Sequence, residues 1–374
     1  MKVQKHFIIF MLLICIFSGS CIKDGFQANP PNTPPPPSMP APNMINAQLI
    51  PAGNLSQARS NIRVASSGNK IVFAGGYISP GIYSSRVDIF EITTNTWTTA
   101  ELSEPRKGIA VAVLGKKIYF AGGEKGIHPI SFSSRVEIYD TETNEWTKTE
   151  ISNKEEALLA GAAAGTKVLF AGGETAHIYD TLTNTWTNAN LSQKVGDWGP
   201  SVGGITATVI DNSIYLAGGV GDLEVHNTID IYNVTTNTWS TSFLNEYKGY
   251  AAGISAGNKN YWAGGYTYSS GRYILSDKVE IRDKNSGSSS FSNLFQGNAS
   301  FSAVQKNNSI VFFTGAGTEK NKFDIYNITT GTCLTGVLRE EIEGAGIISI
   351  NNIIYVAGGR INGAVTSQLW NLDF

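Results

Sequence analysis

Apolar residues in this chain come in runs of about five, separated by Gly, Asn, Asp and Thr, and nowhere do they recur with a sustained 3.6-residue period. Short runs bounded by turn residues predict β-strands and very little helix. The runs also keep a fixed order. A strand of small and apolar residues, such as 108–114 or 204–210, meets a tight turn at Gly68-Asn69, Gly115-Lys116, Asp211-Asn212 or Gly257-Asn258. Those pairs accept the positive φ of a two-residue hairpin. A second strand, β-branched and aromatic as in 117–121, ends at a glycine pair, where the backbone can be approached closely. A third ends in Phe90-Glu91, Tyr139-Asp140, Tyr179-Asp180, Tyr232-Asn233 or Tyr326-Asn327. A Thr/Asn turn then leads to Trp97, Trp146, Trp186 or Trp239, which opens a fourth strand.

The glycine pairs stand at Gly75-Gly76, Gly122-Gly123, Gly172-Gly173, Gly218-Gly219, Gly264-Gly265 and Gly358-Gly359, with Gly315-Ala316-Gly317 filling the gap. Successive first glycines are 47, 50, 46, 46, 51 and 43 residues apart. Seven units of about 47 residues therefore fill 44–374. Four strands per unit at that period predict a β-propeller or solenoid.

Double glycine, then Tyr-Asp, then a Trp about six residues on, repeated, resembles the Kelch repeat. The resemblance implies an all-β fold: a seven-bladed Kelch-type propeller with four antiparallel strands per blade and the repeat Tyr and Trp packed between blades. Some units depart from the pattern. Unit five has Arg282-Asp283 for Tyr-Asp and Phe291 near the Trp position, unit six has Cys333 there, and unit seven stops at Trp370-Asn371 without a fourth strand. The segment 45–50, followed by Asn54 to Arg59, echoes the stretch around Glu101 to Arg106 that follows the fourth strand of unit one. An N-terminal strand is therefore expected to complete the last blade, leaving no open ring edge.

Ahead of the repeats, Lys2 and Lys5 precede an apolar run over 7–17, and Ser18, Gly19 and Ser20 lead to Cys21. This layout predicts a signal peptide over 1–20, since the run is shorter than the roughly 20 residues a membrane span needs. The small-small-Cys ending resembles a bacterial lipobox, with Ser18 where that family usually has Leu. It implies lipidation of Cys21 and membrane attachment through a lipid anchor in a bacterial cell envelope, at the outer membrane or cell surface. Ile22-Lys23-Asp24 resembles the lysine-acid export signals of some bacterial lipoproteins. Residues 21–43 read as the lipidated cysteine and a Pro-rich linker, with eight of the thirteen prolines within 30–42, a stretch that favours an extended spacer.

Composition narrows the chemistry. The chain is 41% apolar and 16% charged, with a net charge of −2 and no Lys/Arg cluster, so no nucleic-acid partner is expected. Three cysteines, two of them in or at the end of the leader, make no disulfide framework. In a propeller, the loops joining strands two to three and those joining strand four to the next strand one share a face, and such loops carry function. They bring Tyr77, Tyr83, Phe132, Tyr266, Tyr268 and Tyr273 together with Arg59, Arg106, Glu155, Glu156, Asp197, Trp198, Tyr247, Lys248 and Arg339 to Glu341. From these we select Arg59, Arg106, Glu155, Trp198, Tyr247, Tyr266 and Tyr268 as candidate ligand contacts. Aromatics beside acids and arginines suit a carbohydrate or a protein ligand.

Enzyme readings find less support. Galactose oxidase is similar in having Kelch-type blades, but its copper site needs His and Tyr ligands and a Cys-linked Tyr. Outside the leader this chain offers His128, His177 and His226, read as loop residues, and Cys333 at a blade-core position. No cofactor and no metal site are expected. Bacterial sialic-acid mutarotases are also Kelch-like, and Glu155 or Glu156 with Arg106 or Arg59 supplies their acid/base and carboxylate-binding residue types. The sequence thus reads as a non-catalytic protein- or glycan-binding propeller, with a sugar-modifying enzyme of mutarotase type as the alternative.

Overall fold

The structure, a computed structural model, describes residues 43–374 other than 128–129, 152–159, 193–203, 222–223, 270–271 and 314. The signal peptide, Cys21 and the Pro-rich linker lie outside the described residues. Pro42–Phe374 forms one compact unit. Among the described residues every element is a strand; seven larger sheets are blades of the expected order one-two-three-four, and the remaining short strands form small separate sheets.

The first blade is made of Arg63–Ser67, Lys70–Ala74, Arg86–Glu91 and Thr96–Glu101. The innermost strands of the other six are Ala110–Leu114, Ala160–Ala164, Thr206–Ile210, Ala252–Ala256, Ser302–Lys306 and Gly346–Ile350. Each contacts the innermost strand of the next blade, and the contact between Gly346–Ile350 and Arg63–Ser67 closes the ring. Close approach explains why small residues dominate these strands. A Cβ on Gly161 would meet the Val111 carbonyl oxygen at 2.5 Å, and one on Gly253 would meet Thr206 Oγ1 at 2.4 Å.

The core lies in seven seams between blades. Between blades one and two, for example, Ala65, Val72 and Val87 pack against Ile118, Phe120 and Tyr139, with Trp146 partly buried against them. The Tyr-Asp…Trp motif has a local logic as well. Asp140 Oδ1 accepts the Glu142 and Thr143 N–H groups, Tyr139 OH donates to Asn144 Oδ1 at 2.9 Å, and Asn144 takes a φ of 64°. Asp and Asn are suited to such turns because their side chains bond the local backbone and Asn tolerates the left-handed region. Trp146 then stacks on Tyr139 with centroids 4.8 Å apart. The repeat tryptophans were expected as core; they are half-buried, because each caps its seam at the outer strand.

The N-terminal closure is made by two segments. Gln48–Asn54 pairs antiparallel with Gln368–Asp373 and is the fourth strand of blade seven, as expected. The residues just before it do something different: Met44–Asn46 runs parallel to Cys333–Val337 as a fifth strand on blade six. The chain thus ties the last two blades together. Register also corrects two assignments. Leu372, opposite Ile354, holds the position of Tyr139 opposite Ile118, so Trp370 sits two residues earlier than the Tyr site. In blade five the Trp position is Ser289, opposite Arg282, and Phe291 lies two residues beyond it.

Candidate functional site: the loop face

Among the described residues, the loops that enter blades one, two, five, six and seven from their predecessors run over one face of the ring. The glycine pairs make this possible. Gly76 N–H donates to Arg106 O at 3.0 Å and Gly219 N–H to Lys248 O at 2.9 Å. A Cβ on the preceding Gly75 would lie 2.5 Å from that Arg106 oxygen.

The side chains at this loop position point inward. Arg59 Nη2 lies 2.6 Å from Asp88 Oδ2, and Arg59 is fully closed to solvent. Arg106 is also fully closed, paired with Glu137 and donating from Nη1 to Gly122 O at 2.6 Å and Arg135 O at 3.1 Å. Lys248 repeats that pattern in blade five, with Nζ near Gly264 O, Lys278 O and Glu246 Oε2. Burial lowers the pKa of all three, to about 10 for Arg106, while Asp88 opposes the shift at Arg59, Glu104 at Arg106 and Glu246 at Lys248. Arg59 and Arg106 were expected on the surface of the loop face; the structure places them in the interior as latches. The carboxylates complete the latch by accepting backbone N–H bonds, from Ser56 to Asp88 at 2.8 Å, from Ser103 to Glu137 at 3.1 Å and from Asn245 to Glu280 at 2.8 Å.

Among the described entering loops, those of blades six and seven lack the cation. In blade six Asn298 takes its place, and Asp324 accepts the Phe295 N–H at 2.8 Å with Cys333 Sγ at 3.7 Å. Without a counter-ion, burial raises the Asp324 pKa to about 6. In blade seven both charges are gone: Ile342 and Trp370 meet in one apolar cluster. His177 holds the carboxylate position of blade three, buried in the third strand with Nδ1 2.9 Å from Asn188 Oδ1, so it is not a loop residue. His226 lies in its loop, half-buried, and His128 is outside the described residues.

Above the latches, hairpins extend the connections between strands two and three. They are built by Tyr77–Ser79 with Ile82–Tyr83, Glu124–Ile127 with Ile130–Phe132, Val220–Gly221 with Glu224–Val225, Tyr266–Ser269 with Arg272–Leu275, and Arg360–Ile361 with Ala364–Val365. Blade three has only Gly173 and Glu174 between its strands.

The hairpins divide into two chemical sectors. Around blade one the aromatics are engaged: Tyr83 OH donates to Glu124, Lys107 Nζ lies 3.3 Å from Glu124 and over the Tyr83 ring, and Arg360 lies over Tyr77. Around blade five several are exposed. Tyr268 is 51% exposed, Tyr273 44% and Ile274 47%, with Arg272 exposed beside them and the two tyrosine rings edge to face at 5.2 Å. Tyr247, 53% exposed, stands on the loop entering the same blade. Tyr266 is half-buried, and Tyr250 meets it edge-on at 6.2 Å. Of the selected residues, Tyr247, Tyr266 and Tyr268 therefore lie on one sector, while Glu155 and Trp198 fall outside the described residues. Arg272 and Ile274 escaped selection because an isolated arginine and isoleucine in a short loop carry no pattern.

Comparison with known families agrees with this architecture. Residues 58–101 match the Kelch motif, and residues 108–280 match the KLHDC2/KLHL20/DRC7 Kelch-repeats domain. No curated protein matches the chain. Two matched segments carrying the glycine-pair and Tyr-Asp repeats, within a closed ring of seven four-stranded blades, identify this chain as carrying a Kelch-repeat β-propeller domain.

Proposed function

We propose that the protein is a non-catalytic binding module that takes a protein or glycan ligand on the blade-five sector of its loop face. The observation that carries this reading is the solvent-exposed cluster of Tyr268, Tyr273, Ile274 and Arg272 on one hairpin. Tyrosine and arginine around an aliphatic side chain form the usual composition of a protein-interface centre, and the exposed Ile274 favours a protein over a glycan. The hairpin holds both rings on paired strands, so little side-chain freedom remains to be lost on binding.

The mutarotase alternative loses its arginines, because Arg59 and Arg106 are latched to carboxylates in the interior. In this reading Cys21 carries the lipid that attaches the protein to a bacterial envelope, and the Pro-rich segment serves as the spacer.

A thermal-shift screen of the protein against oligosaccharides, sialic acids and candidate surface proteins tests the reading. A ligand at about 100 times its Kd adds roughly 2.7 kcal/mol of stability. The shift is expected to vanish in Tyr268→Ser/Tyr273→Ser; a ligand whose shift survives that change contradicts the sector assignment.

A further inference from the structure

The outer strand of each blade is a sheet edge, and blade six shows that such an edge can take a further strand. Its outer strand, Cys333–Val337, pairs in parallel with Met44–Asn46; Thr335 N–H donates to Asn43 O at 3.0 Å and Ala47 N–H to Val337 O at 2.9 Å. Blade six also lacks the repeat tryptophan. Cys333, opposite Tyr326, stands where blades one to four hold Trp97, Trp146, Trp186 and Trp239.

Blade five shares that loss. Ser289 holds the Trp position, and the outer strand Ser289–Asn293 has a neighbour on one side only among the described residues. Leu294 N–H donates to Asp277 O as Leu338 N–H does to Asn321 O, so Phe291 and Asn293 correspond to Thr335 and Val337 of blade six. Along an antiparallel strand the residues alternate in the side to which both backbone groups turn. Ser289, Phe291 and Asn293 therefore turn their N–H and C=O groups outward.

The other edges differ. Glu101 on blade one is paired with Arg86, blade two has Lys148 and Glu150, and blade seven has Pro51 beside a bulge, all devices that keep sheet edges from pairing. The edges of blades three and four are uncharged, but each keeps its tryptophan and has a polar residue, Asn188 or Thr241, where blade five has Phe291. The blade-five edge reads Ser-Ser-Phe-Ser-Asn, with neither charge nor proline, and Phe291 at its centre is exposed.

We propose that this edge pairs with the same edge of a second copy of the chain, antiparallel about a two-fold axis at Phe291. The axis sets Phe291 opposite its counterpart and Ser289 opposite Asn293 of the second copy, so each outward residue exchanges both backbone bonds. The two phenylalanines meet as a cross-strand aromatic pair, and only small polar side chains flank them. Because Phe291 is the middle residue of the strand, a two-fold there leaves none of the outward groups unpaired. A five-residue edge lies at the small end of interface sizes, so the pairing depends on concentration. It uses the rim of blade five and is independent of the ligand sector on the loop face.

The test is disulfide trapping in bacteria producing the full chain, with Ser289→Cys and Asn293→Cys made singly and also co-produced. Residues in such a hydrogen-bonded pair have Cα atoms about 5.5 Å apart, inside the roughly 4.4–6.8 Å that a disulfide spans. The co-produced variants, oxidised with copper phenanthroline, should give a product of twice the chain mass that a reductant dissolves. Either variant alone should give no more product than the parent with its own Cys333, because like positions then lie too far apart along the paired strands. Adding Phe291→Lys to both variants should abolish the product, since like charges then face each other. Lys148 holds that position in blade two, so this change should leave the fold intact by circular dichroism. The proposal is overturned if the co-produced pair gives no product, if a single variant crosslinks as well as the pair, or if Phe291→Lys leaves the product intact. A product joining the chain to a different protein would also overturn it and assign the edge to that protein.

Discussion

Arg59 reaches from the loop entering blade one into its third strand and places Nη2 2.6 Å from Asp88 Oδ2, with neither side chain open to solvent. The residues are 29 apart in sequence, so the pair fixes a connecting loop to the blade it enters. Removing one partner of such a pair leaves a buried charge without compensation, which typically costs about 3–5 kcal/mol. Arg59→Ala should lose stability on that scale in urea denaturation. A loss below about 1 kcal/mol would mean that the latch does not hold the loop.

Blade seven shows how the same position works without charge, through Ile342 and Trp370. The double change Arg59→Ile/Asp88→Leu should therefore be less destabilising than Arg59→Ala alone, because no unpaired ion remains. Denaturation midpoints of the two variants decide it. A double variant weaker than the single one would show that the backbone N–H received from Ser56, rather than the ion pair, is what Asp88 contributes.

Blade six gives a pH dependence of unusual sign. Burial raises the Asp324 pKa to about 6 from the ordinary 3.8, so the folded state holds this proton more tightly than the unfolded state does. The stability it contributes is fully present below the unfolded pKa and is lost as pH rises through about 6, a change of roughly 3 kcal/mol. Asp324→Asn keeps an acceptor for Phe295 N–H and removes the titration. The variant-minus-parent difference should grow in the variant's favour between about pH 4.5 and pH 7.5, while the other carboxylates cancel in the subtraction. A difference that stays flat over that range would place the Asp324 pKa near its ordinary value.

Trp146 stacks on Tyr139 and Phe120, with centroids 4.8 and 6.0 Å apart, and closes the outer end of the seam between blades one and two. Because it is half-buried, Trp146→Ala should cost about 2–3 kcal/mol, below the range for a fully enclosed Trp. Chemical denaturation equal to the parent's would remove the packing role of the repeat tryptophan.

Legibility followed locality. The glycine pairs, the Tyr-Asp ends and the Asn turns each meet a backbone demand within a few residues, so the strands, their order and the sevenfold repeat could be read directly. The latches could not. Arg59 and Arg106 were visible as loop residues, but a sequence does not say which way a loop side chain points, and their carboxylates sit inside otherwise apolar strands about 30 residues away. The one signal was a lone acid flanked by apolar residues, as in Val87-Asp88-Ile89 and Val136-Glu137-Ile138. The role of Trp370 was hidden because Leu372 replaces the aromatic that marks register in most other units.

The measurement closest to the central claim is photo-crosslinking at two sites on intact bacteria producing the full chain. One photoreactive residue replaces Tyr268 on the loop face, and the other replaces Leu182, which is 76% exposed on a turn at the opposite face. The account predicts a discrete crosslinked species from position 268 and none from position 182, with the product at 268 lost when Tyr273→Ser is added. Equal labelling from both positions, or a product from 182 alone, would contradict it.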